Sequence, residues 1–372
     1  MKRIVGLAFA LLVLTLAYGP FASAHWPDQP PHHIANLGEL KLEAGGVIKS
    51  LKMSYVTHGK LNAAKDNVVL FIHGFGLNHH NLDHLIGPGK PLDSDKYFII
   101  CPDALGNTQT TFEHSTSPTN SGLKMKFPPF NTRDMVNATH KLLTEGLGIR
   151  HLLVATGFSW GAHQSTQLAV SYPDFMDGFM PISGGALWAT HGFFWGPLMA
   201  SIIESCAGWN GGNYSENPKE CSANSISVLM QHFYSREWWL RDVDTPEAYT
   251  RWRVAWGDYY IDIQDARDLN YAIRALGRGW VGDTPGFNND VMAALRSIKA
   301  RALFITSPYD QFYLPEQVET QVQAIPNARV ISIDSIAGHV ICCSADPQAT
   351  RAMGEAIRGF LLELSEQRNV RR

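Results

Sequence analysis

The stretch Leu152-Leu153-Val154-Ala155-Thr156-Gly157-Phe158-Ser159-Trp160-Gly161-Ala162 changes character in its middle, and the fold follows from that change. Leu152 to Thr156 is a short apolar run that reads as a strand buried on both faces. His163 to Val170 is compatible with a helix. Between them, Gly157 and Gly161 bracket Ser159. A side chain presented on a sharp strand-to-helix turn has a strained backbone with a helix pressing against it, so its neighbours must be small. The helix N-terminus also aims backbone N–H groups at Ser159, where they stabilise developing negative charge. Ser159 is therefore the candidate nucleophile.

Runs of the same kind recur on both sides. Val68 to His73, Tyr97 to Cys101, Gly178 to Ile182, Ala302 to Thr306 and Val330 to Ile333 are short, mostly apolar, and bounded by Gly, Pro or Asp. With helical segments between them, they predict a mostly parallel central sheet flanked by helices. Leu40 to Leu42 and Val47 to Val56 alternate more and predict an antiparallel hairpin at the sheet edge. Residues 25–38, rich in Pro and His, read as an extended arm. The stretch between the strands near 182 and 302 is too long for one crossover and holds eight of the ten tryptophans, Trp188 through Trp280. It predicts a largely helical cap over 187–290, inserted into a core formed by 25–186 and 291–372. The rings would fill the cap and could also wall a pocket against the sheet.

A serine needs a base, and the base needs an orienting acid. In a fold of this architecture the chain order is serine, acid, histidine. The strand Ala302 to Thr306 leads through Ser307-Pro308-Tyr309 to Asp310, and the next strand leads through Ala337-Gly338 to His339. Both side chains then fall at the sheet edge that carries Ser159. Asp334 and Glu316 compete as the acid, but Asp334 follows the wrong strand and Glu316 lies at a helix start. An oxyanion hole needs two converging N–H donors. Trp160, which follows the nucleophile, supplies one, and Phe75 in His73-Gly74-Phe75-Gly76 supplies the other. The sequence names no substrate-binding residue.

Fifteen histidines offer false leads. His79, His80 and His84 cluster after the oxyanion loop, yet only Asp83 stands near as a further ligand, so they read as loop or pocket-rim residues. His163 reads as a helix residue turned away from Ser159. No metal and no cofactor is called for.

At the other end, Lys2 and Arg3, an apolar run from Ile4 to Ala17 and Ala22-Ser23-Ala24 form the pattern of a secretory signal peptide, residues 1–24, cleaved after Ala24. The same stretch left uncleaved would be a membrane anchor. Its removal takes two of the 31 basic residues and none of the 34 acidic ones, leaving an acidic chain unsuited to nucleic acid or to an anionic membrane. The expectation is a secreted or periplasmic protein with no stable membrane association after cleavage. In an oxidising compartment Cys206 and Cys221 could pair across a Gly- and Asn-rich loop. Cys101 reads as a buried hydrophobe. Cys342-Cys343 is open between packing, a vicinal disulfide and other pairings. Asn137-Ala138-Thr139 and Asn213-Tyr214-Ser215 match glycosylation acceptors.

Longer stretches carry a resemblance. Ser54-Tyr55-Val56-Thr57-His58-Gly59-Lys60-Leu61-Asn62, Pro102-Asp103-Ala104-Leu105-Gly106, Phe127-Pro128-Pro129 with Thr132-Arg133-Asp134-Met135-Val136, Ala294-Leu295 before Ile298-Lys299-Ala300, and Asp310 to Gln317 resemble the homoserine O-acetyltransferase-like branch of the α/β hydrolases. The resemblance implies the α/β-hydrolase fold and the same triad, Ser159, Asp310 and His339. The sequence departs where substrates are chosen. Phe158, Trp160 and Ala162 replace residues of the acetyltransferases' Gly-Gly-Ser-Met-Gly-Gly elbow, and Ser227-Val228-Leu229 stands where an Ala-Arg stretch is expected. An exported chain also meets little acetyl-CoA. The expected function is therefore hydrolysis of a small neutral or apolar carboxylic ester, with acyl-CoA-dependent O-acyl transfer as the alternative.

Overall fold

Every residue of Val68–Ile72 (β3) and Leu152–Phe158 (β5) is buried, which places these two strands at the centre of the sheet. The computed structural model describes residues 29–107, 115–187, 192–254, 264–278, 281–343 and 346–371. Residues 1–24, read above as a signal peptide, and Trp188, Trp256 and Trp280 lie outside them. The other strands are His33–Lys41 (β1), Val47–His58 (β2), Phe98–Pro102 (β4), Met176–Ile182 (β6), Arg301–Thr306 (β7) and Ala328–Ser332 (β8). They form one eight-stranded sheet in the order β1-β2-β4-β3-β5-β6-β7-β8. β1, β2 and β4 pair antiparallel, and every pair from β4 through β8 is parallel. Parallel strands buried on both faces need helices above and below, which is why their sequences run apolar rather than alternate.

The expected edge hairpin is present, but β1 begins at His33, inside the stretch read as an arm. The pairing His33↔Tyr55 continues past register shifts on either side of Gly38, whose φ of 69° breaks the regular ladder. The irregularity and the composition hid six strand residues, 33–38, from a reading by alternation.

The helices that matter for the site are Thr132–Lys141 (α1), Trp160–Ser171 (α2), Gly192–Ser205 (α3), Lys219–Met230 (α4), Arg236–Asp242 (α5), Pro246–Trp252 (α6) and Ala266–Leu276 (α7). α1 starts with a reciprocal capping box between Asn131 and Asp134. Arg133, on its first turn, reaches Glu43 and Asp283 and so ties the β1–β2 turn to the segment that precedes β7. α3 through α7 come between β6 and β7 in the chain. Residues on α3, α4 and α7, Trp195, Leu229 and Leu276, face the same cavity as Ser159. Among the tryptophans of this region, Trp238, Trp239 and Trp252 form a cluster with Tyr234, so most of them fill the layer and Trp195 alone of the five described lines the cavity.

Candidate active site

Ser159 sits between β5 and α2 with φ 55° and ψ −116°, a conformation that costs a non-glycine residue energy. The turn is held by the Ser159 N–H donating to Ile182 O at 2.9 Å. Its tightness explains both glycines. A Cβ on Gly157 would stand 2.4 Å from the Gly161 carbonyl, and one on Gly161 would stand 2.1 Å from Ile72 O. No side chain fits at either place.

The three residues of the predicted triad meet. His339 Nε2 is 2.8 Å from Ser159 Oγ, and His339 Nδ1 is 3.0 Å from Asp310 Oδ2. Asp310 and His339 are both buried, at 2% and 3% exposure, so their pairing is shielded from water. The rival acid Glu316 lies in the first turn of Pro315–Ala324 (α8), and Asp334 is exposed. The loops that deliver acid and base are tied together, because Ser307 Oγ donates to Ser335 O at 2.8 Å. Gly338 takes φ 63° to turn His339 inward. Aromatic rings enclose the imidazole, with Phe312 at 4.5 Å and Phe158 at 5.2 Å between centroids. Such an imidazole can accept the Ser159 proton, while the carboxylate fixes its tautomer and stabilises its cation.

Trp160 is the first residue of α2, so its N–H lies in the turn that has no intrahelical acceptor. Its indole Nε1–H donates to Thr132 Oγ1 at 3.2 Å, which anchors the buried ring to α1 while Trp160 also lines the cavity over Ser159. Phe75 packs on it with centroids 5.4 Å apart, which brings the two predicted oxyanion residues together. The loop that bears Phe75 is braced by two residues whose roles the sequence did not disclose. His73 Nε2 accepts from the Ala104 N–H at 3.0 Å, which leaves Nδ1–H to donate to Gly74 O at 2.8 Å. Gln264, fully buried just before α7, donates from Nε2 to Gly76 O at 2.8 Å. His73 could have been found as the first residue of the quoted loop; Gln264 lies almost two hundred positions away and carries no local signal.

The cavity over Ser159 has a volume of about 250 Å³. Its walls are Phe75, Leu77, Phe158, Trp195, Leu229, Phe233, Leu276 and Phe312, with Asn78, His80, Asn81 and His84 on one side and Cys343 close to the base. Burial, with the neighbouring Asp310 carboxylate, pushes the Tyr313 phenol well above its ordinary range, so it stays neutral beside the triad. His84 and His80 are therefore pocket residues, as expected, and the Nε2–H of His84 donates to Cys342 O at 2.8 Å. Burial lowers His84 and keeps it neutral. His163 lies in α2 with Nδ1 bonded to Gly185 O at 2.9 Å and takes no part in the triad.

The cysteines resolve as follows. Cys206 and Cys221 are joined in a disulfide that links the end of α3 to α4. Cys101 is a buried thiol, and Cys342 and Cys343 are thiols whose sulfurs lie 3.0 Å apart.

Known proteins share this arrangement of strands and loops. Residues 67–344 match the family model described as the alpha/beta hydrolase fold. A probable esterase of Corynebacterium glutamicum is 28% identical over 316 residues, covering 84% of this chain and 90% of that protein. A homoserine O-acetyltransferase of Moorella thermoacetica is 29% identical, covering 81% and 88% respectively. The crystal structure of an acetylester hydrolase from Corynebacterium glutamicum superimposes with a TM-score of 0.80 at 27% identity, over 89% of this chain and 96% of that one. Sheet order, elbow and relatives agree: the chain belongs to the α/β-hydrolase fold family, in its homoserine O-acetyltransferase-like branch.

Proposed function

We propose that the protein is an exported serine hydrolase that cleaves small, neutral or apolar carboxylic esters through an acyl-enzyme. The observation that carries this reading is the continuous contact from Asp310 through His339 to Ser159 at the floor of a small, mainly apolar cavity. His339 takes the Ser159 proton as Oγ attacks the ester carbonyl, and the Trp160 and Phe75 N–H groups hold the oxyanion. The imidazolium returns the proton to the departing alcohol. Water, activated by the same imidazole, then releases the acid. A cavity of about 250 Å³ suits a short acyl group better than a long one. The likeness to an acetylester hydrolase supports the same choice.

Transfer to an acceptor alcohol would use the same acyl-enzyme, and the homoserine O-acetyltransferase relatives favour it. Against it, Leu229 and its neighbours offer no Lys or Arg for an acceptor carboxylate among the described cavity residues. Export is supported by the disulfide, which persists in oxidising compartments. Among the described residues no helix is long and apolar enough to cross a membrane. The test is turnover of p-nitrophenyl acetate by the purified chain and by Ser159→Ala, which removes one oxygen from a formed turn. Loss of about 10⁴-fold or more with an unchanged circular dichroism spectrum is expected. Equal turnover by the variant would overturn the reading.

A further inference from the structure

Beside the mouth of the cavity, three imidazoles from two parts of the chain point their Nε2 atoms at one another. His32 Nε2 is 2.5 Å from His79 Nε2 and 3.1 Å from His80 Nε2. The three donor atoms lie within 4.8 Å of one another. We propose that His32, His79 and His80 form a zinc-binding site that clamps the segment before β1 onto the loop after the oxyanion residues.

The opposite edges of two of these rings fit that role. His79 Nδ1 is 2.8 Å from Asp103 Oδ1 in a fully buried pair, and His80 Nδ1 is 2.7 Å from Asp83 Oδ2. A carboxylate on Nδ1 places the proton there, so Nε2 presents a lone pair, and the ring becomes a better metal ligand. A cation placed between the three rings would be met by all three nitrogens at once. Nitrogens held about 2.05 Å from a tetrahedral zinc lie about 3.3 Å apart, close to the His32–His80 spacing and reached at His79 by a small outward shift. Three imidazoles leave a fourth position for water or an exchangeable ligand. His84, grouped with His79 and His80 by sequence, is not in this set, because its Nε2 is engaged by Cys342 O.

Since His80 also lines the cavity over Ser159, the metal would hold one of its walls. The site does not depend on what the triad cleaves, and its test reads binding alone. The full chain, prepared without a histidine tag and stripped with a chelator, is titrated with zinc in competition with a chromophoric chelator. One tight equivalent per chain is expected. His32→Ala, at a half-buried position, and Asp83→Asn should each weaken it about 10-fold or more. His33→Ala, next in sequence but stacked near Tyr55, should bind as the unaltered chain does. Cobalt in place of zinc should give the stronger visible absorption of a four-coordinate ion. Absence of a saturable equivalent, or unchanged affinity in His32→Ala, would overturn the proposal.

Discussion

The Asp310 carboxylate divides its two oxygens between His339 and its own loop. Oδ2 faces His339 Nδ1 at 3.0 Å, while Oδ1 accepts the N–H groups of Phe312 and Tyr313 at 2.8 and 3.0 Å. The backbone bonds fix the carboxyl plane, so the oxygen turned to the imidazole has one orientation only. Asp310→Asn should keep the backbone bonds through its oxygen and turn its NH₂ toward Nδ1. His339 would then carry its proton on Nε2 and could not accept one from Ser159. A fall in kcat of about 10⁴-fold with an unaltered melting temperature is expected. A loss below tenfold would remove Asp310 from the proposed triad.

The bridge between Cys206 and Cys221 closes a separation of 15 residues. In the chain-entropy model a loop of that length is worth about 3 kcal/mol. Because α3 and α4 carry Trp195 and Leu229, loosening them also loosens the cavity wall. The double variant Cys206→Ser, Cys221→Ser should unfold at lower denaturant than the oxidised chain and be insensitive to reductant. Identical midpoints for the two proteins would show that the helices are held by packing alone.

A buried acidic pair gives a pH signature of its own. Asp268 accepts from Ser117 Oγ and the Thr119 N–H, both at 2.8 Å, and so docks the 115–120 loop on α7. Burial, with the nearby Asp265 carboxylate, raises Asp268 well above the ordinary carboxylate range. The folded chain then holds this proton more tightly than the unfolded one. That contribution is complete below the unfolded value of about 3.9 and is lost as pH rises through the folded value. Asp268→Asn carries no such proton. The stability of the unaltered chain relative to Asp268→Asn should decline as pH rises from about 4, and an offset constant with pH would refute the assignment.

Much of this was legible because the chemistry is local. The elbow demands glycines at 157 and 161 for contacts of 2.4 and 2.1 Å, and such demands leave a motif. Asp310 and His339 follow apolar strands whose order in the sheet is regular, so their meeting with Ser159 could be read from spacing. The three imidazoles were half visible: His79 and His80 are adjacent in sequence, whereas His32 reaches them only because β1 extends past its bulge. Gln264 and the Trp160–Thr132 bond were not legible, since each joins segments far apart in the chain and depends on helix packing. Nor did a large residue after the nucleophile say which way its ring would turn.

Leu229 stands where the acetyltransferase pattern led us to expect an Ala-Arg stretch, and its side chain is 4% exposed in the cavity wall. An amino-acid acceptor would have to bring its carboxylate into this apolar lining without a Lys or Arg among the described residues, a burial that costs several kcal/mol. A neutral ester meets no such cost. The proposed enzyme should therefore hydrolyse acetyl and propionyl esters, and homoserine should not accelerate release of CoA from acetyl-CoA. Acyl chains too long for about 250 Å³ should be turned over progressively more slowly. Leu229→Ala should enlarge the wall at that point and raise the butanoate-to-acetate ratio of kcat/KM about tenfold, near the lower end of what a methylene is worth in an apolar pocket. Homoserine-dependent CoA release faster than ester hydrolysis would make the protein a transferase and would require an acceptor-binding cation outside the described cavity residues. A ratio unchanged by Leu229→Ala would place the acyl group against another wall, with Phe233 and Phe312 next to be truncated.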